Sequence, residues 1–120
     1  MKPYQDARVE GEKLAKQYAE LEKVDQVDFY NGLEGYYSVL GHNKKQEAIA
    51  VLIEKNDHKI YVYQLDKGIS QDKAVTISRE KGASDIDKVP FGRYQDKPIW
   101  EVKSGNQYYL VDFETGAVIQ

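Results

Sequence analysis

The 120-residue chain contains no cysteine, which removes disulfide frameworks, thiolate nucleophiles and thiolate metal sites together. Compartment stays open on this count, because zero cysteines suits a cytosolic protein and equally an exported one that avoids stray disulfides. Long apolar runs are also missing. The longest, Ala48 to Ile53, falls far short of the ~20 residues that a membrane span requires. Met1-Lys2-Pro3 leads directly into a helical pattern with no apolar lead-in, so any N-terminal membrane anchor is expected to lie outside these residues. Histidine is scarce, with two in the chain. His42 and His58 both fall in polar turns by sequence, without a companion His or carboxylate at metal-ligand spacing, and no metal is expected.

One-sided charge is lacking as well. The formal net charge is −3, with Lys and Arg dispersed among Asp and Glu, which gives no continuous positive field for phosphate backbones and argues against nucleic acid. A hydrophobic fraction of 41% against 31% charged residues is enough apolar surface to offset chain entropy, so a folded protein is expected.

Catalytic patterns are absent in their turn. Asp25 and Asp28 lie three apart in one strand pattern and therefore on opposite faces. Asp85 and Asp87 share a face, at a strand start where solvated acids are common. Ser38, Ser70, Ser78, Ser84 and Ser104 lack the glycine-flanked elbow that exposes a nucleophile. The glycines are spread through turns, and none forms a phosphate-cradling loop before a helix. No catalytic residue and no cofactor site is expected, and the chain reads as a binding scaffold.

What is abundant is tyrosine, with ten beside the single tryptophan, Trp100. Rigid aromatic area is enriched at binding hot spots, yet aromatics also stabilise sheets through cross-strand pairs. Neighbouring pairs are the informative ones. Tyr36 and Tyr37, like Tyr108 and Tyr109, must point to opposite faces of a strand, which leaves one of each free to face outward. Tyr36, Tyr37 and Tyr94 are the expected partner-binding residues, with Trp100 as anchor or support.

Along the chain, one layout occurs twice. From Pro3 to about Lys23, the residues Ala7, Gly11, Leu14, Ala15, Tyr18 and Leu21 recur at helical spacing. Strands are expected at Val24–Tyr30, Tyr36–Leu40, Glu47–Ile53 and Ile60–Leu65, with Asn31-Gly32, Gly41–Gln46 and Glu54–His58 as turns. Asp66-Lys67-Gly68 joins the copies. The second helix runs from Ile69 to Gly82, with Ser70 as N-cap, Asp72 at the positive end of the dipole, and Gly82 as a left-handed terminator. Strands follow at Ile86–Tyr94, Ile99–Lys103, Gln107–Phe113 and Ala117–Ile119, and their short turns imply antiparallel pairing. The fold class is thus α+β, with units at 1–66 and 67–120, each a helix packed on a curled antiparallel sheet. Units of about 60 residues are marginal alone and are expected to lean on one another.

The Ile69-Ser70-x-x-x-Ala74-x-x-Ile77 helix, Gly82, Ile99-Trp100-x-Val102 and Tyr109-x-Val111-Asp112-Phe113-x-Thr115-Gly116-x-Val118 resemble a PepSY-type domain. Over nearly the whole chain, the tandem layout with Val24-Asp25-Gln26-Val27 after the first helix resembles the cell-wall elongation regulator TseB-like family, also called YpmB-like. The resemblance implies two cystatin-like units outside a Gram-positive membrane, held by one N-terminal span absent from these residues. It further implies contact with a penicillin-binding protein or another envelope protein, and no catalytic activity. A different role, a PepSY-like inhibitor or chaperone of a peptidase, fits the same units. A third, binding of a small ligand or wall polymer by the aromatics of the sheet, fits them as well.

Overall fold

The computed structural model describes residues 13–31, 35–57 and 59–119. The chain divides into two compact units, Met1–Leu65 and Asp66–Gln120. The architecture is α+β, with one antiparallel sheet in each unit.

In the first unit, residues 13–19 form helix α1. The start expected at Pro3, with Ala7 and Gly11, lies outside the described residues. The helix stops earlier than its spacing suggests, because Glu20 adopts a left-handed φ of 55° that no helix can propagate. Strand β1 therefore begins at Leu21 and runs to Asn31. Leu21 is buried in either reading, so its spacing could not separate the two.

Strands β2 (Gly35–Asn43), β3 (Ala48–Glu54) and β4 (Ile60–Gln64) complete a sheet in the order β1-β2-β3-β4. The apolar run of β3 sits centrally and is buried almost throughout, as a strand covered on both faces must be. Its helix-side face joins Ile49, Val51 and Ile53 to Ala15, Leu21 and Val39 in one core, with Leu14, Ala19, Val24, Val27, Tyr37 and Ile60 packed around it. Gly41 permits the close pass of β1. A Cβ there would meet the Lys23 carbonyl oxygen at 2.2 Å, beside the register shifts at Leu21/Lys23 and Val24/Gln26.

The turn expected over Gly41–Gln46 is tighter than its composition suggests. β2 continues through Gly41 and His42 to Asn43, whose Oδ1 accepts from the amides of Lys45 and Glu47 at 3.0 Å. This local side-chain pairing closes the turn from its first residue. His42 is consequently a strand residue paired with Ala48, which corrects its placement in a turn. His58 and Gly32 lie outside the described residues.

In the second unit, a 3-10 turn (Leu65–Lys67) leads to helix α2 (Gln71–Glu80). Ser70 Oγ accepts from the Lys73 amide at 3.0 Å, the expected N-cap. At the other end, Gly82 takes φ 114° while its amide reaches Arg79 O and that of Ala83 reaches Ser78 O, the paired bonds of a Schellman motif. Helix α2 packs on β6 and β7.

The sheet order is β5-β6-β7, with β5 at Phe91–Tyr94, β6 at Lys97–Ser104 and β7 at Gln107–Asp112. β5 and β6 meet through Gln95 and Asp96, both at positive φ, as a two-residue hairpin demands. Pro98 enters a central strand here, ahead of the start expected at Ile99. It sits near the strand end, where its carbonyl accepts from Phe113 N at 3.0 Å and the missing N–H interrupts little of the ladder. The strand expected over Ile86–Tyr94 shortens to β5, preceded by one bridge between Lys88 and Lys103, and that expected over Ala117–Ile119 reduces to one bridge between Val111 and Val118.

The core of this unit is aromatic. Phe91 stands edge-on to Trp100 at 4.9 Å and to Phe113 at 5.2 Å, the arrangement that ring quadrupoles favour. The Asp112-x-x-Thr115-Gly116 motif is a self-contained turn. Asp112 Oδ1 accepts from the amides of Glu114 and Thr115, Gly116 N returns to Asp112 O, and Thr115 Oγ1 accepts from Ala117 N.

Candidate interaction surface

The four aromatics expected to bind a partner fall in both units, and two of them are interior. Tyr36 is 3% exposed and packs between Tyr30 and Tyr61, with ring centroids at 6.4 and 6.3 Å. Trp100 is 2% exposed, and its indole N–H is used internally. Neither presents area to a partner: Tyr36 is a core residue, which corrects its expected place at a contact, and Trp100 is left with the supporting half of its expected role. Alternation assigns each to one face of its strand but is silent on what covers that face. Tyr37 is half-buried and edge-on to Phe29 at 5.2 Å. Tyr94 is half-buried at the end of β5, opposite Lys97.

Among the described residues two aromatics face outward, Tyr18 at 58% exposure on α1 and Tyr108 at 53% on β7; Tyr108 is the one with charged neighbours on its sheet. It pairs across the sheet with Lys103, whose ammonium lies 5.9 Å from the ring centroid. Lys103 also bridges to Lys88. On the same face, two residues along β6, stands Glu101, half-buried and paired with Leu110. Burial raises its carboxyl above the ordinary value of 4.5, and the charges of Lys88 and Lys103 pull it partly back. Lys88, Glu101, Lys103 and Tyr108 thus form a patch with one large amphipathic ring, two cations and a reluctant anion. Such a patch suits protein contact, where Tyr is a favoured anchor. The sequence singled out Tyr108 as one of an adjacent pair; it gave no sign that Tyr109 would be the covered member.

Chemistry elsewhere is sparse. His42 Nδ1 lies 2.5 Å from Asp25 Oδ2, and Lys23 Nζ is 3.6 Å from the other oxygen of that carboxylate. This carboxylate orients the imidazole. Gln26 donates to Asp28, two positions further along β1. Among the described residues, no group of three His, Cys, Asp or Glu side chains could hold a metal ion. A polar cleft of about 630 Å³ runs beside the β2–β3 turn, lined by Lys16, Lys44 and Lys45 on one count of charge and Glu20, Glu22 and Glu47 on the other. Its balanced charge selects no ligand class.

Comparison with known proteins adds what the side chains alone do not carry. Residues 10–54 match the model of the cell wall elongation regulator TseB-like domain. Over 114 residues the chain is 38% identical to the Bacillus subtilis (strain 168) protein named "Probable cell wall elongation regulator TseB", an alignment covering 88% of this chain and 70% of that protein. The chain belongs to the TseB-like family. The TseB-like fold is shared as well: the structure of the YpmB protein from Bacillus subtilis superposes with a TM-score of 0.78 at 32% identity, covering 100% of this chain and 97% of that one. The resemblance read from the tandem layout is therefore a true relationship. Among the described residues of this TseB-like chain, no helix is long and apolar enough to cross a membrane.

Proposed function

We propose that this chain is a noncatalytic, extracytoplasmic interaction module that modulates cell wall elongation by contact with a penicillin-binding protein. The observation that carries the proposal is the relationship to TseB along 88% of the chain. The patch of Tyr108, Lys103, Lys88 and Glu101 supports it, because it offers contact area without a reactive centre. In this reading the chain comprises two PepSY-like units at 1–66 and 67–120, held at the outer face of the membrane by a single N-terminal span.

The test is capture of penicillin-binding proteins, labelled with a fluorescent penicillin, from detergent-solubilised Gram-positive membranes on the immobilised chain. Retention of one labelled band over a column of unrelated acidic protein is the expected result. Complete absence of labelled protein in the eluate, with the immobilised chain shown to be folded by circular dichroism, overturns the proposal.

A further inference from the structure

A sheet edge exposes a row of unpaired N–H and C=O groups, and proteins blunt such edges with bulges, short strands or covering segments. Among the described residues, three of the four sheet edges are blunted. β1 carries two register shifts, which twist an edge away from pairing. β5 is four residues long. β7 is covered by the segment 117–119, where Ile119 N donates to Leu110 O at 2.7 Å and Asp112 N to Ala117 O at 2.8 Å.

β4 has none of these devices. Its five residues pair with β3 in unbroken register. Glu54 N donates to Lys59 O at 2.8 Å, so strand alternation turns the backbone groups of Lys59, Tyr61 and Tyr63 toward β3 and those of Ile60, Val62 and Gln64 outward. These outward groups have no hydrogen-bond partner among the described residues. Val62, at their centre, is 48% exposed.

We propose that the outer edge of β4 pairs antiparallel with β4 of a second copy, joining two four-stranded sheets about a two-fold axis at Val62. The sequence itself selects this occupant. Tyr61-Val62-Tyr63 reads the same in both directions, so a copy centred on Val62 sets Val62 against Val62, Tyr61 against Tyr63 and Ile60 against Gln64. The Val62 pair and the two Ile60–Gln64 pairs are the ones whose backbone groups face each other, and each exchanges both N–H···O bonds. The Tyr61–Tyr63 pairs fall at the closely spaced positions where aromatic side chains interact across strands. Residues 60–64 carry no charge, and Lys59 falls opposite Leu65, whereas a parallel pairing would align Lys59 with Lys59. A contact that is its own complement closes as a symmetric dimer.

Sedimentation velocity on the full chain, from about 10 μM to about 1 mM, tests the proposal across the range of weak association. The expected result is a concentration-dependent shift from monomer to dimer. Val62→Lys sets like charges directly opposite and should weaken dimerisation at least about tenfold, with an unchanged melting temperature because the side chain is half exposed. Since the chain has no native cysteine, Val62→Cys should form a disulfide-linked dimer under mild oxidation much faster than Thr76→Cys, a control on the exposed side of α2. A monomer at every concentration, a dimer indifferent to Val62→Lys, or equal crosslinking of the two cysteine variants overturns the self-pairing. So does slowed exchange of the Val62 amide that occurs only when another protein is added, which would assign the edge to a different strand.

Discussion

The indole Nε1 of Trp100 donates to the main-chain carbonyl of Ile69 at 3.1 Å, tying the central strand of the second sheet to the segment that opens α2. The same segment is held a second time, by Ile69 N donating to Phe113 O at 2.8 Å. Ile69 is thereby fixed by two bonds, one from a residue 31 positions along the chain and one to the residue that follows β7. Trp100→Phe keeps most of the apolar volume but leaves the Ile69 carbonyl short of a donor in a part-buried site. A loss of about 1–3 kcal/mol is expected, measured by urea denaturation with circular dichroism. In the wild type, the fluorescence of this single tryptophan reports unfolding of the second unit directly.

Gly68, one residue before that anchor, is required by proximity. A Cβ there would lie 2.4 Å from the Phe113 carbonyl oxygen and 2.6 Å from its ring, and neither the backbone nor a ring packed on Phe91 can yield freely. Gly68→Ala should destabilise by about 1–3 kcal/mol through overpacking. A midpoint in urea unchanged from wild type would contradict this packing.

Much of this frame was legible in the sequence. The Ser70 cap, the Gly82 terminator and the Asp112-x-x-Thr115-Gly116 turn each depend on residues within a few positions, and each formed where local chemistry put it. Leu21 was misassigned because burial serves a helix and a strand alike, and only the left-handed Glu20 decides between them. Tyr36 proves interior for a related reason. A period of two reveals that a strand has two faces, but which face meets solvent depends on residues remote in sequence. His42 gained its Asp25 neighbour through pairing of β1 with β2, a contact that no local spacing records.

Ser78 points into the buried side of α2, and its hydroxyl has no hydrogen-bond partner among the described residues. A buried, unpaired hydroxyl is a cost that alanine removes, and alanine is also the better helix former. Ser78→Ala should therefore stabilise the protein by about 0.5–1.5 kcal/mol. Ser70→Ala, which removes a working cap from the same helix, should destabilise by about 1 kcal/mol. Thermal denaturation of the two variants side by side distinguishes a helix limited by its interior from one limited by its end.

Glu101 makes the stability of the second unit depend on pH in a definite direction. Its carboxyl is raised above 4.5 by burial, so the fold favours the protonated form more than the unfolded chain does. The stabilisation is complete below the unfolded value and is lost as pH rises through the folded one. Glu101→Gln abolishes this loss, and the stability of the variant relative to wild type should increase as pH goes from about 4 to 7. A difference that stays flat over that interval would show that the carboxyl is no more reluctant to ionise than in the unfolded chain. Lys103→Met removes a cation that now eases ionisation, and should widen the pH interval over which the loss occurs.

The same patch gives the clearest separation between binding and folding. Tyr108 is half exposed and contributes its ring mainly to solvent and to Lys103, whereas Trp100 and Tyr36 are interior. If the proposed contact with a penicillin-binding protein uses this face, Tyr108→Ala should weaken capture by about tenfold or more, the penalty of losing an aromatic hot spot, while shifting stability by less than about 0.5 kcal/mol. Trp100→Phe should show the reverse, a clear loss of stability with capture intact at temperatures where the chain remains folded. Capture unaffected by Tyr108→Ala would move the contact away from β7, and parallel measurements on Tyr37→Ala and Tyr94→Ala would then show which half-buried ring replaces it.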